Sequence, residues 1–264
     1  MDRFMQSALL HLNKENFSMK RLVVAATLLF APLAAHADYL DLSNWSAEGN
    51  GQWDVGADGN SVSQGVNGHP TLFYSDANSI GKQFSANVTV SGNDDDFIGF
   101  VLGYNSGEAN SAESDFILID WKKRTQTNSQ YGTAAAGLSV SHVTQGLGYD
   151  DSSWGHAASK GVEELARGVN FGESGWEYGE TYKFDITYTD TLLEIFINGV
   201  KEISLTGNFT DGAFGFYNFS QAGAAYSQIS AQSFYAQNSV PTPATALLFG
   251  AGLVGMARLR RKKQ

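Results

Sequence analysis

The chain has 264 residues, 42% of them hydrophobic, enough to bury a full core in one domain, and a formal charge of −10. Glycine (29 residues) and Phe plus Tyr (28 together) are abundant beside 17 Lys plus Arg, which points to short strands and tight turns rather than a helical bundle. Without cysteine, disulfides, zinc thiolates and thiol nucleophiles are excluded.

From Met19 the sequence reads MKRLVVAATLLFAPLAAHADYL. A basic start (Lys20, Arg21), an apolar run from Leu22 to Leu33 and Ala35-His36-Ala37 fit a secretory signal cut between Ala37 and Asp38. The stretch before Met19 carries Asp2 and Glu15 and lacks this character, so Met19 is the expected start. The expected single domain, 38–239, keeps 25 of the 27 acidic residues but 8 of the 17 basic ones, a formal charge of −17. Such a surface repels nucleic acid and anionic membranes and suits divalent cations.

Within this domain the hydrophobic period is two. QFSANVTV sets Phe84, Ala86, Val88 and Val90 on one face, and TYKFDITYTD repeats the pattern with Tyr182, Phe184, Ile186 and Tyr188. Both read as half-buried antiparallel strands. Between ANVTV and the next strand, FIGFVLGY, lies SGNDDD, expected to be the turn that joins them, bent at Gly92-Asn93. Asp94, Asp95 and Asp96 in a row repel one another unless water or a cation intervenes. Two readings fit: a Ca²⁺ site built from oxygen ligands, or a solvated acidic turn that keeps a hairpin from edge pairing. On the first, asparagine at 95 and 96 abolishes a calcium response without destabilising the calcium-free protein.

Trp121 ends an apolar strand and is followed by Lys122, Lys123 and Arg124, the one basic cluster of the domain, either a contact for acidic polysaccharide or a solvated strand end. Tyr149, Trp154, Trp176 and Tyr178 lie in a long Gly- and Ser-rich stretch, where aromatic rings either stack on sugars or plug the end of a sandwich. In KGVEELARG the spacing of Val162, Leu165 and Ala166 predicts one short surface helix over 160–168. Asn198-Gly199 inside LLEIFINGVKEISL is a hairpin signal, and GAFGFYNFS and AYSQISAQSFYA supply two closing strands. About a dozen strands in roughly 200 residues make a two-sheet sandwich or jelly roll.

DDDFIGFVLGYNS and DFILIDWKKRTQT resemble the C-terminal domain of thrombospondins, and SSWGHA, GWEYGETYKFDI and GAFGFYNFSQ follow in that family's order across most of 61–234. The resemblance implies a concanavalin-like jelly roll that binds calcium, with Asp94, Asp95 and Asp96 as candidate ligands. The family's calcium-rich type 3 repeats and its disulfide are missing, so its animal receptor contacts do not carry over.

At the C-terminus, SVPTPATALLFGAGLVGMARLRRKKQ combines Pro241 and Pro243, an apolar segment from Ala244 to Ala257 and a basic cluster from Arg258 to Lys263. This plan resembles the PEP-CTERM sorting signal of Gram-negative bacteria, with Thr242 where glutamate is usual. It implies a membrane helix, held with the basic end in the cytoplasm, until an exosortase-type enzyme cleaves near Pro241 to Pro243. A plain C-terminal anchor is the simpler alternative.

Glycoside hydrolases on related folds carry paired carboxylates on alternate residues of one strand. Here Asp115 and Asp120 are five apart and face opposite sides, Glu194 stands alone, and His142 and His156 lack a nucleophile elbow. The sequence therefore reads as an exported, surface-sorted, calcium-binding adhesive or matrix module. A lectin-like protein is the alternative, a hydrolase the weaker one, and extracellular polysaccharide or other surface proteins are the expected partners.

Overall fold

Alternating burial along QFSANVTV gives the fold its plan, because a strand with one apolar face needs a second sheet to cover it. The computed structural model describes residues 38–148 and 151–235, and these residues form an all-β jelly-roll sandwich of two large antiparallel sheets. One sheet has eight strands. Its path runs β15 (Val200–Thr206), β14 (Leu192–Ile197), β13 (Thr181–Tyr188), β6 (Lys82–Val90), β17 (Ala224–Ser233), β4 (Ser61–Gln64) and β3 (Trp53–Val55), with β1 (Asp38–Tyr39) paired to β17. The facing sheet runs β12 (Val162–Arg167), β11 (Gly137–Val143), β8 (Phe116–Lys122), β7 (Phe97–Tyr104), β16 (Ala213–Phe219), β5 (Thr71–Asn78) and β2 (Ser46–Gly49). A separate ribbon pairs β9 (Gln126–Asn128) with β10 (Gly132–Ala134). Among the described residues no helix is long and apolar enough to cross a membrane.

The core between the sheets is rich in aromatic rings. Phe84 stacks on Phe214 with centroids 4.1 Å apart, and Tyr226 stacks on Phe216 at 4.4 Å. Tyr226 also crosses the core to the opposite sheet, where its hydroxyl donates to the Tyr217 carbonyl at 2.8 Å and accepts the Gly99 N–H at 3.2 Å. Glycine is required at 99, since a Cβ there would lie 1.9 Å from the Ile119 carbonyl oxygen.

The two sheets differ in their outer faces. β6 alternates buried and half-buried residues, whereas β7, β8 and β16 are buried throughout. A second apolar cluster, including Leu72, Tyr74, Phe97, Val101, Leu118, Trp154 and Phe219, covers the outer face of the seven-stranded sheet. The long connection after β11 is fastened there by an ionic cluster. His156 lies between Asp120 (Nε2–Oδ2, 2.8 Å) and Glu164 (Nδ1–Oε2, 3.1 Å), with Arg167 on Glu164 at 2.7 Å. Burial pulls the His156 pKa down, but the attraction and hydrogen bonds of Asp120 and Glu164 prevail and raise it to about 9. Glu164 moves the other way: burial raises its pKa, and His156 and Arg167 bring it down to about 2.

Residues 162–167 form an edge strand where a helix is expected from sequence. The reason is a bulge. Val140 pairs with Ala166 and Ser141 with Glu164, so Leu165 is an extra residue, and the apolar residues that suggest one helical face divide between the two faces of the strand, Val162 in the outer cluster and Ala166 against the core. The helix of the neighbouring connection lies instead at Asp151–Gly155. The Asn198-Gly199 turn is present with φ of 51° and 79°.

His156 predicts a pH profile. A folded pKa of about 9 against 6.5 in the unfolded chain means that its contribution is fully present below pH 6.5 and lost as pH rises through 9, on the order of 3 kcal/mol. The Glu164 contribution is present above pH 4.5 and lost as pH falls toward 2. Urea midpoints should therefore plateau near pH 4.5–6.5 and fall on the alkaline side. His156→Asn, which tolerates the left-handed φ of 50°, should flatten the alkaline limb.

Candidate functional site

The acidic turn does not close a hairpin. β6 is central in the eight-stranded sheet and β7 central in the facing one, so residues 91–96 carry the chain over the end of the core from one sheet to the other. Gly92, at φ 113°, makes the bend. This course explains why the three aspartates differ: Asp94 and Asp95 are half-buried at the rim, while Asp96 is buried. Their carboxylate oxygens lie within 4.8 Å of one another.

Two of the three cations of the expected basic cluster, Lys122 and Lys123, are buried beside this turn, against both the polysaccharide reading and the solvated one, while Arg124 is exposed. The Lys122 side chain is 0% exposed and its ammonium pairs with the Asp96 carboxylate. It also donates to the Asp95 carbonyl at 3.3 Å and sits 4.9 Å and 4.7 Å from the ring centroids of Phe97 and Trp154. Lys123 points to the other face of the strand end, pairs with Glu177 and reaches the Trp176 carbonyl at 3.1 Å, with its ammonium 4.5 Å from the Tyr178 ring centroid. Burial pushes the Asp96 carboxyl up and the Lys122 ammonium down, against their mutual attraction. An ammonium is tolerated here because oxygens and ring faces replace its hydration shell.

Buried amides complete the platform. Gln221 accepts the Asp96 N–H at 3.0 Å, and Gln64 donates to Asn218 at 2.5 Å and to the Gln221 carbonyl at 3.2 Å. Asn67 bonds Asp94 from the next loop, and its own amide oxygen accepts Ser220 Oγ at 3.2 Å. Sequence reasoning missed Gln64, Asn67, Asn218 and Gln221. The signal was present in GAFGFYNFSQ, where amides interrupt an aromatic run beside a turn.

Trp154 and Trp176 are corrected as sugar-stacking residues, since both are buried. Trp176, at 0% exposure, donates from Nε1 to the carbonyls of Asp96 and Trp121 at 3.1 Å each. Trp154 packs edge-on against Phe97 and Phe219. Full burial of each indole removes about 200 Å² of apolar surface, worth at most about 5 kcal/mol, so their role is to plug the sandwich end. Among the described aromatic residues of that stretch, Tyr178 is the exposed one, its hydroxyl donating to the Asp94 carbonyl at 2.7 Å. Glycine is required at 175, because a Cβ would lie 1.9 Å from the Lys123 carbonyl oxygen. Tyr149 and the processing residues Ala37, Pro241 and Pro243 lie outside the described residues, as does the C-terminal apolar segment; Asp38 opens β1.

The order of these motifs, now fixed in space around one end of a jelly roll, is matched by a family model. The thrombospondin C-terminal region covers residues 48–234. The chain belongs to the thrombospondin C-terminal region family. Among curated proteins, none matches the chain in sequence. This thrombospondin C-terminal region shares its fold with the carbohydrate-binding module CBM66 of Bacillus subtilis, at TM-score 0.51 and 12% identity over 76% of this chain and 100% of that one. A Bacillus subtilis protein of unknown function with a galectin-like fold gives TM-score 0.48 and 11% identity over 73% and 90% of the two chains. The Ca²⁺-bound exoplasmic/lumenal domain of VIP36 gives 0.48 and 13% over 72% and 83%.

The end platform separates the aspartates by role. Asp96→Asn leaves the Lys122 ammonium buried without its counter-charge and should cost about 3–5 kcal/mol in chemical denaturation. The buried Lys122–Asp96 pair thus speaks against the expectation that asparagine at 95 and 96 together leaves the calcium-free protein as stable as before. Adding Lys122→Met should recover most of the loss, whereas Asp95→Asn alone should change stability by less than about 0.5 kcal/mol without calcium.

Proposed function

We propose that this protein is an exported, surface-sorted, calcium-binding β-sandwich that works as a non-enzymatic adhesive or matrix module, with extracellular polysaccharide as its partner. The observation that carries the proposal is the rim of Asp94 and Asp95 on a rigid platform, with Asp96 shared with Lys122 beneath. Carboxylates are hard oxygen donors, the chemistry that suits Ca²⁺, and Lys122 neutralises one of the three negative charges. Asp94 and Asp95 would hold the ion from the solvent side, with Asp96 contributing through its second oxygen. The exposed Tyr178 ring beside them supplies a surface on which a sugar can stack.

A lectin-like role is the second reading, favoured by the fold shared with the carbohydrate-binding module. Against hydrolysis, the near carboxylates Asp120 and Glu164 are bridged by the buried His156 rather than facing an open cleft. Export and sorting rest on the two terminal segments, and the strongly acidic domain between them suits an exported, soluble surface protein.

Calcium at a hundredfold excess over Kd should stabilise the fold by about 2.7 kcal/mol, a rise in Tm of roughly 5–11 °C that a chelator reverses. Asp95→Asn should abolish the shift. Equal melting curves in calcium and chelator at matched ionic strength would sink the metal site. A glycan array with and without calcium separates a defined sugar ligand from general adhesion, and turnover of a hit would revive the hydrolase. Mass spectrometry of surface material should find a chain from Asp38 to the region of Pro241. Recovery of only the full-length chain from the inner membrane would instead mean a plain anchor.

A further inference from the structure

The open side of the sandwich, where edge strands β12 and β15 meet, carries two bulges with opposite effects. In β15, Ile203 pairs with Ile195 and Lys201 with Phe196, so Glu202 is the extra residue. It turns inward, 1% exposed, and its carboxylate accepts the N–H groups of Asn170 (2.8 Å) and Phe171 (3.1 Å), closing the gap between the sheets. In β12 the extra residue is Leu165, 41% exposed. A bulge re-aims a side chain, and this one lines an open cleft of about 340 Å³. The other groups that matter there are Asp115, His142, Leu205, Asn208 and Phe209. His142 Nε2 lies 2.8 Å from Asp115 Oδ1, and the Asp115 carbonyl is held by Thr210 Oγ1 at 2.8 Å. The Asp115 carboxylate is 54% exposed and keeps acceptor positions that His142 does not use.

We propose that this cleft is a second binding site, taking one neutral saccharide unit and lying at the end of the sandwich away from the acidic turn. The proposal rests on reading the protein as a polysaccharide-binding module. The cleft combines an apolar surface (Leu165, Leu205, Phe209) with a carboxylate, an imidazole and an amide, matching a sugar ring that has a C–H face and a rim of hydroxyls. Its size admits a ring or two. Asp115 and a domain charge of −17 disfavour acidic sugars.

The test is NMR on the full chain, following the His142 ring and Leu165 methyl signals during titration with cellobiose, maltose, lactose, N,N′-diacetylchitobiose and digalacturonic acid. At least one neutral disaccharide should shift both signals saturably, with or without chelator. His142→Ala should weaken it at least tenfold, and Leu165→Gln, at an exposed position, should do the same should the histidine variant fail to fold. Silence of both signals with every neutral sugar would overturn the proposal, as would stronger binding of digalacturonic acid. A response confined to the Asp95 region and lost in chelator would also overturn it, while leaving the calcium-dependent polysaccharide reading intact.

Discussion

Burial of the Lys122 ammonium is the constraint around which one end of this protein is arranged. A charge taken out of water must be met by oxygens and ring faces on every side, and those groups come from four separate segments: the 91–96 crossing, the start of β7, the ribbon that follows β8, and the helix at Asp151–Gly155. Each segment is thereby positioned by one atom. Lys123 does the same on the opposite face for the stretch carrying Trp176, Glu177 and Tyr178. The rim aspartates inherit their geometry from this arrangement, since the backbone beneath them is bonded to Tyr178, Lys122 and Trp176 in turn.

The seven-stranded sheet is accordingly the structural layer of the sandwich and the eight-stranded sheet the conventional one. Covering both faces of β7, β8 and β16 buries more apolar surface than a plain two-sheet sandwich, and polar groups on the covered face must find partners there. Asp120 does so with His156 and with Ser139 at 2.5 Å, which makes the covering connection an ionic attachment as well as an apolar one. At the sheet edges, inward-turned Glu202 closes one part of the open side and out-turned Leu165 leaves the rest accessible, so single inserted residues decide which stretch of edge is sealed.

Much of this was legible in the sequence. Period-two strands such as QFSANVTV and TYKFDITYTD, the Asn198-Gly199 turn and the strand within GAFGFYNFS all lie where they were expected. What could not be read depends on contacts distant along the chain. VEELAR has helical spacing, yet its Val162 and Ala166 lie on opposite faces of a bulged strand, and a bulge is set by the partner strand. Lys122 and Lys123 looked like a solvated patch because their counter-charges are 26 and 54 residues away. SGNDDD looked like a hairpin turn because consecutive strands usually pair, and only the sheet order shows that these two face each other across the core.

The course of β17 has a consequence for how the molecule would stand on a surface. The strand begins beside Val90, next to the acidic crossing, and ends beside Lys82, where Asp38 pairs with Ala231 close to its far end. Over its ten residues it spans about 30 Å. Both segments flanking the sandwich therefore join it at the end opposite the three aspartates. A tether through the C-terminal segment would make the domain a short post with its carboxylates at the tip, where an arriving ion or polymer meets them first. The Asp115–His142 cleft would sit at the foot, within reach of whatever lies along the surface itself.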